Sequence, residues 1–199
     1  MGRRRKPDYT GGEARSRQAR EQGYAARSVF KLEEIDKRTS LLKRGQKVLD
    51  LGACPGSWSQ YALKRIGPNG LLVAIDLQDI GVSLPGATVL QGDAFELDVD
   101  QLPEDVPPFD VVLSDMAPKT TGVPLADHVN SVELCDHALT LAKCWLRPGG
   151  HFVCKVFTGE DEPALRKRVQ AEFSKLRTIK PKGTRSNSRE TFLVGLGKR

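Results

Sequence analysis

The sequence predicts an α/β fold built on a mostly parallel sheet, and three observations carry the prediction. Short apolar runs alternate with helix-period segments from Lys47 onward. The run Leu71–Asp76 is apolar on both faces, as a central parallel strand covered by helices must be. The last two runs, residues 176–180 and 191–196, leave no room for a helix between them and so should pair antiparallel.

Taken in order, residues 1–22 are polar, Gly- and Arg-rich, and expected to be a basic, flexible N-terminal segment. Ser28 opens a helical pattern in which Val29, Leu32 and Ile35 are apolar and Lys31, Glu34 and Lys37 lie between them. Lys47–Leu51 reads as a strand, residues 52–56 as a turn, and residues 58–66 as a helix stopped by Gly67-Pro68-Asn69-Gly70. Leu71–Asp76, residues 88–91 and residues 109–115 are the next strands. A long helix over 129–146 closes at Arg147-Pro148-Gly149-Gly150. A strand over 151–157 and a helix over 163–173 precede the two closing strands. Right-handed crossovers would then cover both faces of the sheet. No repeat and no second domain is evident, so residues 23–199 are expected to form one domain.

The 199 residues are 39% hydrophobic and 28% charged, which suits a soluble chain with one sizeable core. No apolar run is long enough to span a bilayer. The basic start, residues 1–6, has no apolar stretch behind it and does not read as a signal peptide; a cytoplasmic location is expected. The formal net charge is +6, with the basic residues gathered at the two ends: Arg3, Arg4, Arg5, Lys6, Arg15, Arg17, Arg20 and Arg27, then Arg166 to Arg189. If the ends meet on one face, that face suits a polyanion such as RNA. Cys54, Cys135, Cys144 and Cys154 form no Cys-x-x-Cys pair, and no His stands at zinc spacing from them. Neither a metal site nor a disulfide is expected.

Ligands of such sheets bind beyond the carboxyl ends of the strands. Four acidic residues stand there: Asp50, Asp76, Asp93 and Asp115. One Asp at a strand end is usually a cap or turn residue. Four beside the turn Gly52-Ala53-Cys54-Pro55-Gly56 suggest a nucleoside-type cofactor. Asp76 suits ribose hydroxyls, and Asp93 suits an adenine amino group. The turn lacks the Gly-x-Gly-x-x-Gly spacing of a dinucleotide site, and Ser57-Trp58 follows Gly56 where a Walker loop needs Lys. An acidic rim repels phosphate and favours a cation. S-adenosylmethionine therefore fits better than NAD, although an NAD-dependent oxidoreductase remains the alternative from another class. Trp58 either closes the pocket or packs in the core.

Asp50-Leu51-Gly52-Ala53-Cys54-Pro55-Gly56-Ser57-Trp58-Ser59-Gln60, Ser114-Asp115-Met116-Ala117-Pro118 and Arg27-Ser28-Val29-Phe30-Lys31-Leu32 together resemble the signatures of the FtsJ-type ribosomal RNA large-subunit methyltransferases. The likeness runs from about Gly23 to the end of the chain. It implies a seven-stranded Rossmann-like S-adenosylmethionine methyltransferase fold with an antiparallel last strand. It also implies 2′-O-methylation of a uridine in large-subunit (23S) rRNA, free or in the assembled subunit, by a monomer. The family's Lys-Asp-Lys-Glu catalytic set falls on Lys31, Asp115, Lys155 and Glu190, with Lys155 in the role of proton acceptor. Its cofactor residues fall on Gly56, Trp58, Asp76, Asp93 and Asp115. Two positions depart from the pattern: Ser57 where the family often has Gly, and Lys119 where it often has Asn. A ribose of another RNA, such as tRNA, stays open as a target.

The implied chemistry is an in-line displacement in which a weakly nucleophilic 2′-hydroxyl must lose or share its proton. Lys155 stands in a strand among Phe152, Val153, Val156 and Phe157, where a lysine would be partly desolvated.

Overall fold

The computed structural model describes residues 9–104, 106–182 and 189–199. Arg3, Arg4, Arg5, Lys6 and Arg185, which the sequence singles out for charge, lie outside them. The elements are α1 (Tyr9–Glu21), α2 (Val29–Thr39), β1 (Lys47–Leu51), α3 (Ser57–Ile66), β2 (Leu71–Asp76) and β3 (Ala87–Gln91). β4 (Phe109–Ser114), α4 (Pro124–Trp145), β5 (Leu146–Phe157), α5 (Glu162–Glu172), β6 (Phe173–Ile179) and β7 (Glu190–Lys198) follow. Two 3-10 turns, Ala94–Glu96 and Val99–Gln101, lie between β3 and β4.

The strands form one sheet in the order β3-β2-β1-β4-β5-β7-β6. β1 pairs parallel with β2 and β4, β2 with β3, and β4 with β5. β7 is antiparallel to both β5 and β6, so it alone runs against the rest. The expected fold class is the one observed. Strand order reverses between β1 and β4, which opens a crevice at their carboxyl ends.

The alternation of strand side chains sorts the core into two layers. Leu49, Leu51, Val73, Ile75, Val112, Phe152 and Cys154 pack with Ala138, Ala142, Leu165 and Val169 of α4 and α5. Val48, Leu72, Ala74, Val111, Leu113, Val153, Phe192 and Val194 pack with Val29, Leu32, Ile35, Trp58 and Ala62 of α2 and α3. Each fully buried aliphatic side chain contributes about 1.5–3 kcal/mol, so both layers matter to stability.

Three features differ from what the sequence pattern suggests. Within the basic N-terminal segment, Tyr9–Glu21 form α1, where Ala19 is buried against the α2–α3 layer and the Tyr24 N–H returns to the Ala19 carbonyl at 2.9 Å. Next, α4 starts at Pro124, earlier than its apolar pattern suggests. Proline suits the first helical turn, and the Asp127 carboxylate accepts from the Thr121 N–H and hydroxyl just before it. Last, β5 starts at Leu146. Leu146 pairs with Phe109, and the register shift before Val111↔His151 absorbs the Pro-Gly-Gly stretch as an irregularity within the strand. Arg147 fixes that irregularity through Asp110 at 2.5 Å, and Asp110 also accepts the Lys47 N–H at 2.7 Å.

Among the described residues no helix is long and apolar enough to cross a membrane, and no group of His, Cys, Asp or Glu is disposed to hold a metal ion. The four cysteines are free thiols.

Candidate active site

Strand register places the acidic residues on one face. Asp50 lies beside Ala74 and Leu113, so Asp76 and Asp115 stand two positions further along the flanking strands. Val48, Ala74 and Leu113 face α2 and α3, and period-two alternation turns Asp50, Asp76 and Asp115 the same way. Val153 faces that side too, and so does Lys155. β7 runs backward, which brings its first residue, Glu190, to the carboxyl end of β5 opposite Phe157.

The turn after β1 is held by backbone bonds. Gly52 and Ala53 N–H groups donate to the Ile75 carbonyl at 2.9 and 3.1 Å. Asp76 Oδ2 accepts the Cys54 N–H, and Oδ1 accepts the Gln78 N–H, each at 2.9 Å. Two glycines here are obligatory. Gly52 has φ +73° and Gly56 φ +100°; a Cβ on the first would strike Met116, and on the second Val82 and Ile80. The loop after β2 thus closes directly onto the turn.

Ser57, Trp58, Ser59 and Gln60 open α3, and each fastens a different piece of the molecule. The Ser57 hydroxyl meets that of Ser28 at 2.7 Å. The Trp58 indole N–H donates to the Ser28 carbonyl at 2.9 Å, and its ring lies 5.7 Å from that of Phe192. Ser59 donates to Asp50 at 2.6 Å. Gln60 accepts the Ala25 N–H at 2.8 Å. The Trp58 side chain is therefore core, 2% exposed. What Trp58 can offer a ligand is its backbone N–H, which has no intrahelical acceptor in the first turn.

These contacts seat the start of α2 and hence Lys31. The Lys31 ammonium is paired with the Glu190 carboxylate and lies 5.8 Å from the Phe192 ring centroid. On β5, Lys155 Nζ donates to Asp115 Oδ1 at 2.8 Å and to the Asp115 carbonyl at 2.5 Å. Lys155 is 8% exposed. From behind, α4 secures this strand. The Cys135 thiol donates to the Lys155 carbonyl at 2.8 Å, the Ser131 hydroxyl accepts the Phe157 N–H at 3.1 Å, and His128 Nδ1 lies 2.7 Å from the Phe157 carbonyl.

The structure brings Lys31, Glu190, Lys155 and Asp115 to the same end of the sheet as Asp76. Asp93 stands apart at the end of β3, where it caps the 3-10 turn by accepting the Phe95 N–H at 2.9 Å. Sequence reasoning assigned no partner to Asp50. It is fully buried, and burial, then Asp115 and Asp76, push its carboxyl up to about 7 against the pull of the Ser59 hydroxyl. The alternation Val48–Asp50 was the available signal. The donor set suits a nucleoside carrying positive charge. It has carboxylates at adjoining strand ends, a buried Asp50 oxygen with no partner among the described residues, and glycines that let backbone line the crevice.

The family profile described as FtsJ-like methyltransferase matches residues 24–198. The ribosomal RNA large subunit methyltransferase E of Bdellovibrio bacteriovorus is 48% identical over 186 residues, covering 92% of this chain and 95% of that one. The protein of the same name from Sorangium cellulosum is 51% identical over 192 residues, covering 96% and 90%. Among solved structures, a ribosomal RNA methyltransferase of Plasmodium falciparum superposes with TM-score 0.77 at 28% identity, covering 88% of this chain and 98% of that one. Aeropyrum pernix fibrillarin, solved with S-adenosyl-L-methionine, shares the fold at TM-score 0.59 and 16% identity, covering 78% and 68%. With its strand order, its acidic crevice and this match over nearly its whole length, the chain belongs to the FtsJ-like methyltransferases, enzymes that use S-adenosylmethionine.

Proposed function

We propose that this protein transfers a methyl group from S-adenosylmethionine to the 2′-oxygen of a uridine ribose in large-subunit (23S) ribosomal RNA. The observation that carries the reading is the meeting of two ion pairs, Lys155–Asp115 and Lys31–Glu190, at the strand ends where Asp76 stands. The relatives named for large-subunit RNA methylation support the substrate.

When bound, S-adenosylmethionine supplies an activated methyl carbon whose leaving group is a neutral thioether. Asp76 would hold the ribose hydroxyls of the donor, and Asp93 would accept from its adenine amino group. Gly56 and the Trp58 N–H would let the backbone approach it. Lys155 acts on the RNA. Asp115 fixes the Lys155 Nζ through two acceptors, its carboxylate and its carbonyl, so the remaining position on the nitrogen is left for the 2′-hydroxyl. Asp115 thereby orients the base, and it would also help to hold the methyl donor. Lys31 and Glu190 position the target ribose. Because the donor is already activated, alignment of the attack supplies much of the rate.

Basic residues gather toward both ends of the chain. Arg15, Arg17 and Arg20 lie on α1, and Arg27 precedes α2. The Lys182 N–H donates to Glu34 at 2.8 Å, which sets Lys182 beside α2. These groups would contact RNA phosphates. On this reading residues 23–199 are the catalytic domain, residues 1–22 a basic arm, and the protein works as a monomer in the cytoplasm on free RNA or the assembled large subunit.

The test is transfer of labelled methyl to large-subunit RNA by the purified protein, followed by alkaline hydrolysis. A 2′-O-methyl blocks cleavage at its nucleotide, so label is expected in an alkali-resistant dinucleotide beginning with uridine. Label recovered in mononucleotides would contradict ribose methylation.

A further inference from the structure

Asp50 lies fully buried behind the row of strand-end carboxylates, and the reaction so far leaves it unused. Its Oδ2 accepts the Ser59 hydroxyl, and its Oδ1 has no partner among the described residues. Register and alternation put its side chain on the same face as Asp76 and Asp115, two residues further back from the strand ends. The charged and polar groups around it are Asp76 from β2, Asp115 after β4 with Lys155 of β5 upon it, and Ser59 from α3. Lys155 compensates Asp115, and two backbone N–H groups serve Asp76. Asp50 has one hydroxyl. An ionised carboxylate so placed is costly.

A cation arriving at this row removes the cost, and a neutral group does not. S-adenosylmethionine and S-adenosylhomocysteine share the nucleoside and the amino acid; they differ by the methyl and the positive charge on sulfur. We propose that Asp50 is the group by which the site tells the charged methyl donor from its neutral product. It holds a proton while the crevice is empty or carries product, and releases it when the donor binds. The carboxyl O–H bond breaks heterolytically; the electron pair stays on the oxygen and the proton passes to buffer. After transfer the sulfur is neutral, a proton returns to Asp50, and the product is held less tightly than the donor. The burial-driven rise of this carboxyl toward neutrality puts the exchange in the working range. By linkage, donor affinity then rises with pH through the titration, while product affinity changes little. The inference rests on the reading that the donor binds at these strand ends.

The experiment is isothermal titration calorimetry of the full chain with S-adenosylmethionine and with S-adenosylhomocysteine, in buffers of different ionisation enthalpy. For the wild type, the donor should release a measurable fraction of a proton and the product much less. The donor-to-product affinity ratio should rise about three- to tenfold between about pH 6 and about pH 8. Asp50→Asn should abolish both the excess release and the pH dependence of the ratio. Ser59→Ala keeps the carboxyl but removes the bond that favours its ionised form, so it should move the release to higher pH. An unchanged proton count in Asp50→Asn, or an unmoved midpoint in Ser59→Ala, would overturn the proposal. Asp76→Ala separates the two levels. If it leaves both affinities unaltered, the location of the donor is wrong; if it weakens both while Asp50→Asn still releases the proton, the role of Asp50 alone is wrong.

Discussion

The donor half of the crevice draws Asp50 and Asp76 from two strands that adjoin in the sheet, and backbone N–H groups of the nearby turns hold Asp76. The acceptor half joins Lys31 to Glu190 across 159 residues of sequence and Lys155 to Asp115 across 40. One half is acidic and carries little internal compensation; the other is built of matched opposite charges. Charge left uncompensated suits a ligand that brings its own, whereas matched pairs suit a neutral hydroxyl that must be oriented and deprotonated. The difference teaches that binding and chemistry in this protein are separable by substitution.

The largest expected effect is on the acceptor side. Lys155→Ala should lower the rate of methyl transfer by ~10²–10⁴-fold, the usual worth of a general base, with cofactor affinity retained. Lys155→Arg should rescue poorly, since a guanidinium does not accept a proton at working pH. Single-turnover transfer to large-subunit RNA measures both. Next comes Lys31→Ala, expected to cost about a hundredfold through a misplaced ribose. Rate and KM measured together would distinguish positioning from weakened RNA binding. On the donor side, Asp76→Ala removes a charged acceptor and should weaken S-adenosylmethionine by about 2 kcal/mol, roughly thirtyfold in Kd, read by calorimetry. The fold should survive, although the Cys54 N–H loses its partner.

The smallest effect is on stability. The folded protein raises the Asp50 carboxyl from its ordinary 3.8 to about 7, so the native state binds this proton more tightly than the unfolded chain does. The group's contribution to stability is therefore full below about pH 4 and is lost as pH rises to about 7. Asp50→Asn should leave stability unchanged in acid and raise it by about 1–2 kcal/mol near pH 8, less than the full linkage because the buried amide still needs partners. Thermal unfolding at the two pH values checks this; destabilisation at pH 8 would contradict the assigned protonation.

β1 and β2 were legible to the residue, because short apolar runs bounded by glycine and aspartate leave little choice of ends. The antiparallel pairing of the last strands followed from the missing crossover alone. α1 was not legible, since a lone buried residue such as Ala19 carries no pattern. The start of β5 was hidden by Pro148-Gly149-Gly150, which tertiary pairing with Phe109 accommodates. At the site, the strand-end carboxylates could be read from position. The partnership of Lys31 with Glu190 could not, because nothing local in α2 or β7 points to the other; the family likeness carried it. The assignment of Trp58 stayed divided until its indole was found bonded to Ser28.

The separation of the two halves is tested most directly by the single-turnover rate as a function of S-adenosylmethionine concentration, for Asp76→Ala and Lys155→Ala side by side. Asp76→Ala should shift the curve to higher concentration and reach the wild-type plateau. Lys155→Ala should keep the wild-type midpoint and lose the plateau. Midpoint and plateau changing together in both variants would contradict the division of the crevice into a donor-binding half and a proton-handling half.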